Sequence, residues 1–256
     1  MKAEVSTAYK FDKMKRTFLF AILTLMACTA VISCKDKELA PNAQEEQQIG
    51  NVVNMENPFN FCGTEHNRLL DVVRGSANGA KGALDATAVY NIIADDVKMN
   101  RNMDVRALIA TDRAVKMLAD YGNMGYASLD KLQSDGLLTR YQREAIGRMV
   151  QMLFVPGISD EVRHEHIVQM ERELLQITTD IATAERDVLL CFTAVAKSSL
   201  QYWSQAKDFS AKGPREVIAV VVADAIGAAV GGAAGGVGGA IALGAAASAE
   251  AAHEFL

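Results

Sequence analysis

The chain has 256 residues, of which 50% are hydrophobic and 22% are charged, with four prolines. This length suits one or two domains with a real hydrophobic core, and the composition excludes collagen-like, disulfide-dense and wholly disordered chains. The net charge of −5 at pH 7 argues against nucleic acid as a partner, because proteins that bind nucleic acid usually carry a basic stripe.

The N-terminus carries an export pattern. A short basic segment, residues 14–16, precedes an apolar and uncharged run over residues 18–32. That run is shorter than the roughly 20 apolar residues that a transmembrane helix needs, so it predicts a signal peptide over residues 1–33. Translation from Met1 and translation from Met14 are both consistent with this pattern.

The most specific motif ends the apolar run. Val31-Ile32-Ser33-Cys34 resembles the lipobox of bacterial lipoproteins, and the charged segment 35–38 resembles the surface-export signal of lipoproteins of Bacteroidota. The resemblance implies a diacylglycerol on Cys34 and a place in the cell envelope, at the outer membrane or surface of a Gram-negative bacterium. Residues 25–28 are a competing lipobox match, and an ordinary cleaved signal and an uncleaved anchor are the alternatives.

The predicted mature chain is acidic. Removal of residues 1–33 takes away five basic and two acidic residues and leaves a net charge of −8. Anionic lipid headgroups would repel such a chain, so contact with a membrane would depend on the lipid anchor or on apolar residues.

Two cysteines remain beyond the predicted lipidation site. Cys62 and Cys191 lie 129 positions apart. In an exported protein they could pair in a disulfide, and the alternative is two buried free thiols.

The patterns after the lipobox are those of an all-α protein. Residues 34–56 hold the lipidated cysteine and a polar, flexible tether, and residues 57–210 predict a bundle-like domain of six or seven helices. Residues 74–82 predict a loop from their glycine, serine and asparagine content. Four polar residues are predicted to begin helices as N-caps: Ser128, Thr139 in a capping box, Ser159 and Thr183.

The composition changes sharply in the tail, residues 213–256. From Val217 to Ala249 the only charged residue is Asp224. Glycines spaced by four form a glycine zipper along one side of a helix, and bulky residues form a ridge beside it. The zipper consists of Gly227, Gly231, Gly235 and Gly239, and the ridge of Ile226, Val230, Val237 and Ile241.

Three interpretations of the tail remain open. The tail resembles the glycine-rich parts of class II bacteriocins and the glycine-zipper segments of outer-membrane lipoproteins. This implies that residues 217–249 associate with a membrane or with a second copy in a homo-oligomer, in a bacteriocin-like or pore-forming role. Alternatively, the tail is a helical hairpin packed on the bundle of a surface binding or structural protein. The third interpretation is a low-complexity tail with no defined partner.

No catalytic set, metal site or cofactor motif is predicted, so we expect a protein that is not an enzyme. His164 and His166 are two positions apart, about 200° around a helix, and do not share a face. Cys62 and His66 lack a recognisable orienting group for nucleophilic catalysis. Segments 57–60, 66–67 and 198–203 resemble uncharacterised helical lipoproteins of Bacteroidota, and this resemblance implies no activity.

Overall fold

The computed structural model describes residues 57–79, 84–99, 108–121, 127–177, 181–206 and 213–255. Every regular element in these ranges is an α-helix, and no strand occurs among them, which confirms the all-α prediction. The predicted signal peptide, the lipobox with Cys34 and the tether lie outside the described residues.

Among the described residues, seven helices precede the tail and one kinked helix forms it, which agrees with the six or seven predicted for the domain. They are α1 Asn60–Gly79, α2 Ala86–Met99, α3 Thr111–Tyr121, α4 Ala127–Ser134, α5 Arg140–Leu153, α6 Asp160–Gln176, α7 Thr183–Gln205 and α8 Pro214–Phe255.

Two of the four predicted caps are present. The Ser128 prediction is wrong, because Ser128 is the second residue of α4, which begins at Ala127. Thr139 and Gln142 form a reciprocal capping box at the start of α5, and the Ser159 side chain accepts a hydrogen bond from the Val162 amide at 3.4 Å. The Thr183 prediction is wrong by one residue, since Ala182 is the N-cap of α7 and supplies no side-chain hydrogen bond. Tertiary packing, more than capping, therefore holds the start of α7.

Helix α1 continues through much of the segment predicted as a loop, because residues 74–79 are helical. The Arg74 guanidinium lies 5.9 Å from the Tyr202 ring centre and 5.8 Å from that of Trp203, and it donates a hydrogen bond to the Tyr202 hydroxyl at 3.1 Å. These contacts with α7 stabilise a helical turn that the local composition disfavours, since intrinsic propensity is easily overridden by packing.

Helix α8 is a hairpin. Its helical backbone is interrupted at Gly235 and at Gly236, where φ is 63° and ψ is −152°. A Cβ on Gly227 would lie 2.7 Å from that of Ala247, although residues twenty positions apart in a straight helix are separated by about 30 Å. The chain therefore reverses at Gly235–Gly236 and forms two arms, residues 214–234 and 237–255. The hairpin interpretation of the tail describes its packing correctly.

The hairpin lies in the core of the protein. It packs most extensively on α7, then on α1 and α2, and also contacts α3. One hydrophobic core joins residues of both arms to residues of the preceding helices. Among the described residues, α8 is the one helix long and apolar enough to cross a membrane, with a mean hydropathy of 2.1, and 78% of that apolar window is buried in the protein. Core helices of water-soluble proteins also meet this criterion.

The zipper glycines bring the two arms into backbone contact. A Cβ on Gly231 would collide with the carbonyl oxygen of Gly239, and a Cβ on Gly239 would collide with that of Gly231. Gly235 lies at the reversal itself. Three of the ridge residues are buried in the core and Val237 is half-buried; the buried three are Ile226, Val230 and Ile241.

We predict that Gly231→Ala destabilises the protein by about 3 kcal/mol, because the added methyl group must push the two arms apart. Gly75→Ala in α1 is the matched control, since a Cβ there meets no atom within 4 Å, and it should be neutral or stabilising by up to about 1 kcal/mol. Urea unfolding of both variants measures the difference. Equal effects at the two positions would contradict a tight arm–arm contact.

Candidate functional site

Five polar or amphipathic side chains meet inside the apolar core, and we call them the core polar cluster. The cluster consists of His66 from α1, Ser199 and Trp203 from α7, Asp224 from the first arm and Ser248 from the second arm. All five are buried, with exposed fractions of 2% or less. The cluster therefore joins both arms of the hairpin to the two helices on which they mainly pack.

Asp224 is the centre of this cluster. Its Oδ2 accepts a very short hydrogen bond from the Ser199 hydroxyl and a longer one, at 3.3 Å, from Trp203 Nε1. The same indole donates to the Ser248 hydroxyl at 3.2 Å, and His66 Nε2 lies 3.7 Å from Asp224 Oδ2. Asp224 Oδ1 and His66 Nε2 are both buried, and neither has a hydrogen-bond partner in the part of the chain that the structure describes.

Burial acts in opposite senses on the two ionisable groups of the cluster. It raises the pKa of Asp224 to about 7, although the nearby hydroxyls and the indole act in the other direction. It lowers the pKa of His66 to about 4, against the raising effect of Asn67. Desolvation disfavours the charged form of each group, so the cluster is electrically neutral over the mildly acidic range.

The cluster contains Ser, His and Asp side chains, yet it lacks the arrangement of a hydrolytic triad. In a triad the histidine takes the serine proton and the carboxylate orients the histidine. Here the Ser199 hydroxyl bonds to Asp224, and His66 Nδ1 lies 3.0 Å from the Asn67 side-chain oxygen. Because all three side chains are 0% exposed, a substrate would have no access to them. The arrangement is suited to holding helices together.

A second buried network fixes the first described residues of the domain. Lys197 Nζ forms an ion pair with Glu171 at 2.8 Å and donates to the Asn60 side chain, also at 2.8 Å. The Asn57 side-chain amide donates to Glu171 at 2.6 Å and to the Leu190 carbonyl at 3.1 Å. The point at which the predicted tether meets the domain is therefore bound to α6 and α7 together.

The structure brings the two predicted partner cysteines together. Cys62 on α1 and Cys191 on α7 are both buried and both are thiols. They lie close enough for a hydrogen bond between them, and that contact together with burial raises the pKa of the Cys191 thiol well above its ordinary value. Cys62 therefore faces Cys191, whereas its sequence neighbour His66 faces Asp224.

The remaining candidate residues do not converge on a site. Among the described residues, no group of three or more His, Cys, Asp or Glu side chains is placed to hold a metal ion. Four aromatic residues near the start of α1 and the end of α7 differ in burial: Trp203 is buried, Phe59 and Tyr202 are half-buried, and Phe61 is 50% exposed. Trp203 and Tyr202 pack edge to face, with ring centres 5.1 Å apart.

The sequence did not predict the core polar cluster. Asp224 is visible as the single charge in a long apolar stretch, which signals that a buried partner is needed. The identity of its partners depends on packing between α1, α7 and both arms, and no local motif encodes this packing. The chain matches no protein-family model, no curated protein and no solved structure.

The opposite pKa shifts of Asp224 and His66 predict that removal of either group changes the pH dependence of stability in opposite directions. The pKa of Asp224 is raised from 3.8, so its contribution favours the folded state at low pH and is lost as the pH rises towards 7. The pKa of His66 is lowered from 6.5, so its contribution is present above that value and is lost as the pH falls towards 4. Between these limits the two contributions oppose each other in the wild type.

We expect Asp224→Asn to gain stability relative to the wild type as the pH rises from about 4 to about 7, by about 1 kcal/mol per pH unit. His66→Gln should gain relative stability as the pH falls over the same range. Urea unfolding of the wild type and both variants across this range measures the slopes. Variant profiles that run parallel to the wild type would show that these two groups are not desolvated as described.

Proposed function

We propose that this protein is an exported, lipid-anchored protein of the bacterial envelope that stores a membrane-competent helical hairpin in its core. In this proposal the chain is anchored by a diacylglycerol on Cys34, and the hairpin leaves the helical domain to enter or associate with a lipid bilayer. The role is non-enzymatic and bacteriocin-like, and the partner of the hairpin is a membrane. The observation that carries the proposal is that α8 is a hairpin of two helical arms with one charged residue between Val217 and Ala249.

The first arm comes close to a bilayer in length, and the second arm is shorter. The segment 217–234 of the first arm is about 27 Å long and holds one charged residue, and the uncharged segment 237–249 of the second arm is about 20 Å long, compared with about 30 Å for a hydrocarbon core. Between Val217 and Ala249 the arms contain one charged residue, Asp224. A helix that is apolar on all sides suits either a protein core or a membrane.

The arm–arm contact would persist in lipid. Helices associate in bilayers through small residues that allow close backbone approach, since lipid removes the hydrophobic driving force between them. Gly231 and Gly239 already provide such an approach within the hairpin. The hairpin therefore carries its own partner, and transfer to lipid exchanges only the outer surface of the two arms.

The ionisable group of the hairpin supports the same interpretation. An ionised carboxylate at the centre of a bilayer costs several kcal/mol, whereas the protonated form costs much less. Burial raises the pKa of Asp224 to about 7, so a large fraction of the carboxyl groups are already neutral near neutral pH. The core and the bilayer favour the same protonation state.

A second candidate function has its own support. The burial of 78% of the apolar stretch is what a permanent core hairpin requires, and in that case the protein is a surface binding or structural lipoprotein. The two candidates differ in one respect: whether the hairpin ever leaves α7.

A pair of engineered disulfides separates the candidates, and both use Gly232→Cys. A Cβ on Gly232 lies 3.1 Å from Val188 Cγ1 on α7 and 3.5 Å from the Ala240 Cβ on the second arm. The distance to the Ala240 Cβ suits a disulfide, in which the Cβ atoms are about 3.5–4.5 Å apart. A cysteine at position 188 would place its sulfur near the present Cγ position of Val188, which is in contact with the Gly232 Cβ. Gly232→Cys with Val188→Cys fastens the hairpin to α7, whereas Gly232→Cys with Ala240→Cys fastens the arms to each other.

We expect the mature chain from residue 35, carrying Cys62→Ala and Cys191→Ala, to release dye from vesicles of phosphatidylethanolamine and phosphatidylglycerol. The α7-fastened variant should lose this activity when oxidised and recover it on reduction. The arm-fastened variant, the matched control, should remain active in both states. Absence of leakage in every form, or leakage from the oxidised α7-fastened variant, would reject release of the hairpin and favour the second candidate.

Lipidation has a separate test with a matched control. In a bacterium that processes lipoproteins, the full chain should incorporate labelled fatty acid and partition into the detergent phase. Cys34→Ala should abolish the label, and Cys28→Ala, which removes the competing lipobox cysteine, should keep it. The reverse pattern would move the lipid to Cys28, and label in neither the wild type nor Cys28→Ala would reject a lipid anchor.

A further inference from the structure

Two thiols face each other across the interface between α1 and α7. Cys62 is 0% exposed and Cys191 is 1% exposed, and they lie within hydrogen-bond reach of each other. They are 129 positions apart in the sequence, so their contact is a product of the fold. Among the described residues both are free thiols.

The surrounding packing holds the two helices closely at this level. Gly63, the residue after Cys62, lies so near α7 that a Cβ there would meet the Ser198 Cβ at 2.7 Å. The Asn67 side chain donates to the Ser198 carbonyl at 3.1 Å, one turn further along α1. On the other side of Cys62, Asn60 accepts a hydrogen bond from Lys197. The backbones that carry the two thiols are thus fixed on both sides of the pair.

We propose that Cys62 and Cys191 form an intramolecular disulfide in the exported protein and that this bond fastens α1 to α7. The two thiols lose two protons and two electrons as the S–S bond forms. The disulfide of a thiol–disulfide oxidoreductase accepts them and becomes a dithiol, through a mixed disulfide with one of the two cysteines. Oxidising compartments outside the cytoplasm supply this class of oxidant.

Burial determines when the bond forms. An oxidoreductase cannot reach either sulfur once α1 lies on α7, so the exchange takes place during folding, before the interface closes. In the closed protein the same burial shields the bond from reductants. The raised pKa of the Cys191 thiol has a related effect, because few thiolates are then available for exchange in a chain that folded while reduced.

This inference rests on the export part of the proposed function and is independent of whether the hairpin enters a membrane. Fatty-acid labelling at Cys34 tests the lipid anchor, and vesicle leakage tests the hairpin. Neither readout depends on the state of Cys62 and Cys191, so failure of either remains distinguishable from failure of the disulfide.

Peptide mapping of the exported full chain tests the disulfide. After acid quenching, alkylation under denaturing conditions and digestion with trypsin without reduction, Cys62 lies in peptide 38–68 and Cys191 in peptide 187–197. Cleavage after Lys35 and Lys37 keeps Cys28 and Cys34 out of both peptides. We expect the two peptides to be linked, two hydrogen atoms lighter than their sum, and to separate on reduction.

Cys191→Ala is the control, and it should give peptide 38–68 alone with an alkylated Cys62. Separate, alkylated peptides from the exported wild type would overturn the proposal.

A refolding measurement tests the disulfide without relying on export by a cell. The purified chain is unfolded, reduced, and refolded with oxidised and reduced glutathione, and it should give the same linked peptides. Its thermal midpoint should be higher than that of the chain refolded under reducing conditions, whereas Cys191→Ala should show no such difference. A refolded wild type in which both cysteines remain open to alkylation would overturn the proposal by a second route.

Discussion

Backbone contact between two helical arms is the constraint on which the rest of this structure depends. At Gly231 and Gly239 no side chain separates the arms, and a single methyl group at either position would collide with the opposite carbonyl. A thin hairpin can be enclosed by a small number of helices, whereas a hairpin with bulky arm–arm contacts would need a larger shell. The left-handed backbone at Gly236 then allows the reversal without the strain that a side chain would introduce.

Small side chains bury little area each, so the hairpin gains few strong contacts and little directional specificity from its alanines and glycines. The core polar cluster supplies the directional specificity that these small side chains lack. Asp224 bonds to Ser199 and Trp203, which fixes the rotation and depth of the first arm on α7. Buried polar groups are costly when unpaired, and for that reason they select one packing register over its neighbours. The Lys197–Glu171 ion pair does the same where α6 meets α7.

Features set by residues close together in the sequence could be predicted, and features set by residues far apart could not. The capping box at Thr139 and the cap at Ser159 are set by residues three positions apart, and both were predicted. Residues 74–79 were predicted wrongly because Arg74 packs on rings more than 120 positions away. The zipper spacing predicted a close backbone approach but left its partner open. The partners of Asp224 lay beyond prediction, since the cluster forms only when four separate helical segments have packed.

Whether the hairpin can leave the core for a membrane depends on the free-energy cost of transferring its outer surface, and above all Asp224, to lipid. If the hairpin moved to lipid, the Gly231–Gly239 contact would travel with it, and apolar burial would be exchanged for apolar burial. The core polar cluster would not survive, because His66, Ser199 and Trp203 belong to helices that stay behind. The cost of that transfer therefore concentrates on Asp224 and Ser248, which would lose their partners. With a pKa of about 7, Asp224 needs little free energy to be fully protonated near neutral pH, and a neutral carboxyl group loses hydrogen bonds but no charge when it enters lipid.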